Sequence, residues 1–119
     1  MSKRKRVKRV EELVQRVISE KLITEVDLPM IERVTVTNVD MSADLKNAKV
    51  YFSIIATSED EKDTIFKTIL ERKKEIRFIL GREVDLRFVP ALDFRIDDTA
   101  ERAARIERLI NKIHEEKKE

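Results

Sequence analysis

The 119-residue chain is predicted to fold as one α+β domain: a mixed three-stranded sheet with helices on one face, plus a C-terminal helix. Three observations predict it. Apolar residues recur with helical spacing in an N-terminal, a central and a C-terminal stretch. Two β-branched, alternating segments follow one another across a short polar connection, as an antiparallel hairpin requires. The central helical stretch then separates the second alternating segment from a third, which suits a crossover into a parallel strand. Apolar residues make up 41% of the chain and charged residues 42%, against a usual charged share of about 25%. The core material is ordinary and the surface is unusually ionic.

The first helix is carried by Val7, Val10, Val14, Val17 and Ile18, with Leu13 beside them. Lys5, Arg9 and Arg16 share another face, with Glu12 among them. Its end is expected near residues 21–24, because Asp27-Leu28-Pro29 cannot continue a helix. Residues 31–40 read as a strand: Val34 and Val36 share a face, and Val39 falls on the other parity, so the strand ends or bulges there. After a polar connection over 41–47, Ala48, Val50, Phe52 and Ile54 alternate with Lys49, Tyr51, Ser53 and Ile55 as the second strand.

Ser58-Glu59-Asp60-Glu61 has the S-x-x-E form of a capping box. Ile65, Phe66, Ile69 and Leu70 continue it as a helix, and Ile76, Ile79 and Leu80 resume the apolar stripe. Between them Glu71-Arg72-Lys73-Lys74-Glu75 interrupts the stripe: either one long helix leaves the core there, or two helices meet at a bend. Gly81 suits a left-handed position just past the helix end. Val84, Leu86 and Phe88 alternate as the third strand, stopped by Pro90, while residues 92–97 show no clear period. Asp97 and Asp98 read as N-caps of a final helix carried by Ala100, Ala103, Ala104, Ile106, Leu109, Ile110 and Ile113, with a frayed tail from His114. Phe52, Phe66, Phe78 and Phe88 share spacing with core positions, and Tyr51 lies opposite Phe52. One domain therefore covers 1–119, with a basic arm at 1–5 and the C-terminal helix and tail at 98–119.

Composition also excludes chemistries. There is no Cys, one His and one Gly. Thiolate chemistry, an imidazole zinc cluster and every glycine-rich phosphate loop are thereby removed. No nucleophile, base and orienting group can be assembled, so no catalytic residue, metal or cofactor is expected, and the protein is not expected to be an enzyme. No apolar run reaches a membrane span of about 18–20 residues. The basic N-terminus lacks an apolar signal core, so no membrane association and a cytoplasmic location are expected.

The order α-β-β-α-α-β is that of a type II KH fold. At residue level, 34–53 (VTVTNVDMSADLKNAKVYFS) resembles the hairpin of the ribosome-binding factor A family. So do Ile76-Arg77, the run Leu86-Arg87-Phe88-Val89-Pro90-Ala91-Leu92-Asp93-Phe94, Asp97-Asp98-Thr99, and Arg6-Val7 near the start. The resemblance runs from about Arg6 to Leu109. It implies a bacterial assembly factor that binds the small ribosomal subunit and its ribosomal RNA during late maturation. It further implies links to 5′-end processing and growth in the cold, and release by a ribosome-associated GTPase. Two departures stand out. A G-x-x-G clamp is impossible with one glycine. Where the family carries Ala-x-Gly between the two helices, this chain has Arg72-Lys73-Lys74.

The net charge is only +2, so placement matters more than total. Lys3, Arg4, Lys5, Arg6 and Arg9 form the densest basic run, suited to counterion release from RNA phosphates, although a solvated terminus has the same composition. Arg72, Lys73 and Lys74, with Arg77 and Arg82, form a second candidate patch. Its bland alternative is a solvated helix face with local ion pairs such as Arg72 with Glu75. The competing reading for the whole chain is a KH-like interaction or dimerisation module, against the monomer expected of an RNA-bound factor.

Overall fold

The first helix, α1 (Lys5–Thr24), lies across the sheet and buries Val7, Val14, Val17, Ile18 and Leu22. A computed structural model describes residues 4–117 of the chain. A short 3-10 turn, Ile31–Arg33, leads into β1 (Val34–Met41), then β2 (Asn47–Ile54), α2 (Glu59–Glu71), α3 (Lys73–Glu83), β3 (Ala91–Ile96) and α4 (Thr99–Lys117). The sheet order is β1-β2-β3. β1 and β2 are antiparallel, and β2 and β3 run parallel with Asn47 opposite Ala91 and Phe52 opposite Ile96. Phe52 is fully buried and meets Phe94 edge-on, ring centroids 5.0 Å apart at 77°.

The parity problem in the first strand is solved by a bulge. Val36 pairs with Phe52 and Asn38 with Tyr51, leaving Thr37 as the extra residue. That one-residue slip returns Val39 and Met41 to the buried face that Val36 occupies. Two side chains of α1 seal it to β1: the Gln15 amide donates to the Val36 carbonyl at 3.3 Å, and the Glu11 carboxylate accepts from the Met41 amide at 2.7 Å.

The central helix is two helices, and the bend is one residue, Arg72, with φ −100° and ψ 10°. This bridge-region geometry is open to any residue, so the turn is made without a glycine. Ser58 caps α2 by accepting from the Glu61 amide at 3.1 Å, and the Glu61 carboxylate reaches back to the Thr57 amide at 3.0 Å.

Three expectations are corrected. The third strand is Ala91–Ile96, on the far side of Pro90 from the residues predicted for it. α3 runs to Glu83, and residues 84–90 are spent carrying the chain back to the end of the sheet where β2 begins. The Ala91 amide then donates to the Lys46 carbonyl at 2.9 Å. Val84 is buried, Leu86 half-buried, and Phe88 exposed. Gly81 is inside α3 and has no positive φ. Its role is close packing: a Cβ there would sit 2.8 Å from Cγ2 of Val89. Phe78 faces outward from α3, 71% exposed. The helix α4 runs past His114 to Lys117, as Glu and Lys are good helix formers, and the last two residues of the tail lie outside the described residues.

α4 leaves the body of the domain. Asp97 roots it, accepting from the Thr99 amide at 3.0 Å and from the hydroxyls of Thr99 at 2.6 Å and Thr37 at 2.7 Å. These bonds hold the Asp97 carboxyl below its ordinary range, Thr99 contributing most. Lys62, only 7% exposed, pairs with Glu101 at 2.6 Å and Glu59 at 3.5 Å. Beyond that root Ile106, Leu109, Ile110 and Ile113 are all exposed.

Candidate nucleic-acid interface

The first basic cluster lies at the N-terminal end of α1, and one member of the second, Arg82, meets the C-terminal end. Arg4, Lys5, Arg6 and Arg9 sit at its N-terminal end, with Lys5 as the first helical residue and Arg4 just before it. Lys3 lies outside the described residues. At the other end Arg82 grips Glu25, the residue that ends α1, with N–O distances of 2.6 and 2.8 Å. Arg72 lines a cleft with Asp27, Leu28 and Pro29, just beyond Glu25. The site is two patches that approach each other through the 84–90 segment: Phe88 lines a cleft with Arg6, and Val89, the next residue, lines a cleft with Lys74 and Arg77.

Within the second patch, the structure sorts the predicted cations by what already holds them. Arg77 is a clip: Nε donates to the Pro90 carbonyl at 3.0 Å and a terminal nitrogen donates to the Val89 carbonyl at 2.9 Å. Its place in the fold is to tie the chain entering β3 to α3, which engages two of the five N–H donors of its guanidinium. Arg82 is shared between Glu25 and Glu83. Glu25 is held below its ordinary carboxylate range, chiefly by Arg82 and then by Lys21. Arg72 pairs with Glu75 at 3.4 Å. The ammonium of Lys73 lies 6.0 Å from the Phe94 ring centroid. Lys74 is exposed and has no ion pair among the described residues. It lines a cleft of about 500 Å³ with Arg77, Phe78, Gly81, Arg82 and Val89.

The first patch continues into residues that the sequence reading missed. Arg6 and Val10 line a cleft of about 390 Å³ with Asp44, Leu45, Asp85, Leu86, Arg87 and Phe88. Phe88 is 53% exposed, with Lys46 Nζ 5.5 Å and the Arg87 guanidinium 5.4 Å from its ring centroid. Two acids, Asp44 and Asp85, temper the charge here. Asp44 is already engaged: it accepts from the Ser42 hydroxyl and the Lys46 amide, which hold its carboxyl low, Ser42 first. Arg87 and Phe88 escape a sequence reading because their alternation imitates a strand; the equally clear alternation of Leu92, Phe94 and Ile96 directly after Pro90 is the signal that displaces it.

The open face of the sheet offers no comparable cation surface. Lys49 stands between Asp40 and Asp93 in register, and Arg95 pairs with Asp93 at 2.8 Å. Among the described residues no group of His, Cys, Asp and Glu could hold a metal ion, and no helix is long and apolar enough to cross a membrane.

An α-β-β-α-α-β domain with a mixed three-stranded sheet, its first three helices on one face, and a bent helix pair in place of a glycine loop is a KH-like domain of the type II order. The chain belongs to the ribosome-binding factor A family, whose model matches residues 6–110. It is 40% identical over 114 residues to ribosome-binding factor A of Finegoldia magna, covering 94% of this chain and 93% of that one. It is 38% identical over 117 residues to the Fusobacterium nucleatum protein, covering 93% and 98%. Among solved structures, a putative ribosome-binding factor A of Thermotoga maritima superposes with a TM-score of 0.67 at 26% identity, over 80% of this chain and 90% of that one. A homology model of the Thermus thermophilus factor, fitted into a cryo-EM map of its complex with the 30S subunit, has the same fold. Its TM-score is 0.59 at 22% identity, over 75% of this chain and 92% of that one.

Proposed function

We propose that this chain is a ribosome assembly factor that binds the small ribosomal subunit, meeting small-subunit ribosomal RNA through its two basic patches during late maturation and 5′-end processing. Family membership supports binding to the ribosome, and the fitted 30S complex of a relative points to the small subunit. The observation in this molecule that carries the RNA reading is the set of uncompensated cations. Arg4, Lys5, Arg6, Lys8 and Arg9 are exposed in one short stretch and make no ion pair among the described residues; Lys74 is exposed and unpaired too, as are cations that stand apart, such as Arg16, Lys67 and Arg108, whereas Arg33, Lys62, Arg72, Arg82, Arg95 and Arg102 are all paired. Unpaired, clustered cations are what phosphate neutralisation draws on. Its chemistry is binding, with no catalytic step, and departure from the subunit is left to a ribosome-associated GTPase.

The experiment is co-sedimentation of the purified chain with small subunits at several salt concentrations. Wild type is compared with a 1–5 deletion and with the Arg72→Ala/Lys73→Ala/Lys74→Ala triple. Each variant should weaken binding and flatten the salt slope by roughly 0.7–0.9 for every phosphate it no longer neutralises, with the triple dominated by Lys74. Absence of wild-type co-sedimentation sinks the proposal. The dimerisation reading draws on one observation, the exposed Ile106, Leu109, Ile110 and Ile113 of α4. Concentration-dependent self-association without subunit binding would favour it.

A further inference from the structure

Phe78 is one of three large apolar side chains on the body of the domain that are about as exposed as each other, with Ile23 and Ile55, and the only aromatic one of the three. α3 turns Ile76, Ile79 and Leu80 inward and buries them, yet Phe78 points out with 71% of its surface in water. Leaving a Phe side chain exposed forgoes much of the apolar stabilisation that its burial elsewhere supplies. No aromatic or cation contact is made to its ring among the described residues, in contrast to Phe88, which Lys46 and Arg87 approach. One turn on, Gly81 has no side chain, and Val89 packs into the space that one would take.

The cleft beside Phe78 is lined by Lys74, Arg77, Arg82, Gly81 and Val89, with no carboxylate in the lining. Lys74 is one turn before Phe78 and Arg82 one turn after, each about 5–6 Å away between Cβ atoms. That is the reach between a nucleobase and its own phosphate. A free aromatic face beside an unpaired cation is how proteins hold single-stranded nucleic acid, the ring stacking on a base and the cation meeting the backbone. An apolar protein segment would cover the ring but leave Lys74 uncompensated, so the charge around the ring favours RNA.

We infer that Phe78 is a stacking platform for one unpaired base of single-stranded RNA, with Lys74 holding the adjoining phosphate. This rests on the RNA-binding reading above and adds that the RNA at this patch is unpaired.

The test uses the full chain and a short oligoribonucleotide carrying 2-aminopurine, offered single-stranded and as a duplex, with wild type, Phe78→Ala, Phe78→Trp and Lys74→Ala. Phe78→Ala should lower single-strand affinity roughly 5- to 150-fold, abolish 2-aminopurine quenching, leave the salt slope unchanged and spare duplex binding. Phe78→Trp should retain quenching and affinity. Lys74→Ala should flatten the slope by roughly 0.7, the value for one phosphate of a single strand, and keep the quenching. Thermal melts check folding, which Phe78→Ala should preserve, because Ala is the better helix former and the ring lies outside the core. Unchanged single-strand affinity in Phe78→Ala, or an equal loss on duplex, overturns the inference. A loss seen only with intact small subunits, and not with RNA alone, also overturns it by assigning Phe78 to a protein partner. Wild-type co-sedimentation, run in parallel, separates these results from failure of the subunit-binding reading.

Discussion

Arg77 reaches from α3 to the Pro90 carbonyl at 3.0 Å, and its second donor takes the carbonyl of Val89 at 2.9 Å. Pro90 has no N–H of its own, and the chain bends at Arg87 and Phe88 before it enters β3. The guanidinium fork satisfies two carbonyls that no strand partner serves. A residue that reads in sequence as an RNA ligand thus positions the strand whose register completes the sheet.

Arg77→Ala should therefore destabilise the domain by about 1–2 kcal/mol, given the usual worth of hydrogen bonds from a charged donor at a part-exposed site. Arg77→Lys should recover less than half, because an ammonium cannot span both carbonyls. Lys74→Ala, on the same helix, should leave stability within about 0.5 kcal/mol of wild type. Urea midpoints for the three variants decide it; equal midpoints for Arg77→Ala and wild type would remove the clip.

The register of β3 predicts which phenylalanines matter. Phe52→Ala and Phe94→Ala should each cost about 3–5 kcal/mol, since each empties half of a buried edge-on pair. Tyr51→Ala and Phe88→Ala should cost far less, because Tyr51 is half-exposed and Phe88 is exposed in a loop. The double variant Phe52→Ala/Phe94→Ala should lose less than the sum. Denaturant unfolding tests this, and a severe loss in Phe88→Ala would restore the strand at residues 84–88.

Gly81 tests packing against propensity. Glycine to alanine in a helix interior normally gains about 1 kcal/mol. Here the added methyl would sit 2.8 Å from a methyl of Val89, a branched side chain with little freedom to swing away. Gly81→Ala should thus be destabilising, and Val89→Ala should rescue it. The check is a double-mutant cycle; a stabilised Gly81→Ala would show that the loop yields without cost.

The root of α4 should respond to pH at both extremes. The Asp97 carboxyl is held low in the folded state, first by Thr99 and then by Thr37. Its contribution is complete above the ordinary carboxylate value of about 3.9 and is lost as pH falls through its lower folded value. Lys62 is raised, first by its bond to Glu101. Its contribution is complete below the ordinary lysine value of about 10.4 and is lost as pH rises past its higher folded value. Asp97→Ala should cost about 1 kcal/mol at neutral pH and progressively less as acid protonates the wild-type carboxyl. Hydrogen exchange of the first α4 turn, followed from acid to alkali, should show protection dropping at both limits; a flat profile would detach these two groups from the helix.

What was legible in the sequence was everything set by local pattern. Alternation in 48–55 placed β2, the Ser58 box placed the start of α2, and Val7 to Ile18 placed the buried stripe of α1, because pleat and helix periods act over a few neighbouring residues. The parity break at Val39 announced an end or a bulge for the same reason, and the pairing of Val36 with Phe52 and Asn38 with Tyr51 decided for the bulge. Local pattern was ambiguous where two segments alternate equally well. Residues 84–88 read as the third strand and residues 92–97 as without clear period, yet Leu92, Phe94 and Ile96 alternate too, and the choice fell to the return path from Glu83 to the end of the sheet where β2 begins, a constraint of topology. The candidate site divides in the same way. Composition located the cations, but whether a cation is free depends on residues far off in sequence: Glu25 for Arg82, Val89 and Pro90 for Arg77. Only the folded chain brings those partners within hydrogen-bond reach, so the tertiary structure decided that Arg77 holds the fold together while Lys74 and Phe78 stay open to a partner.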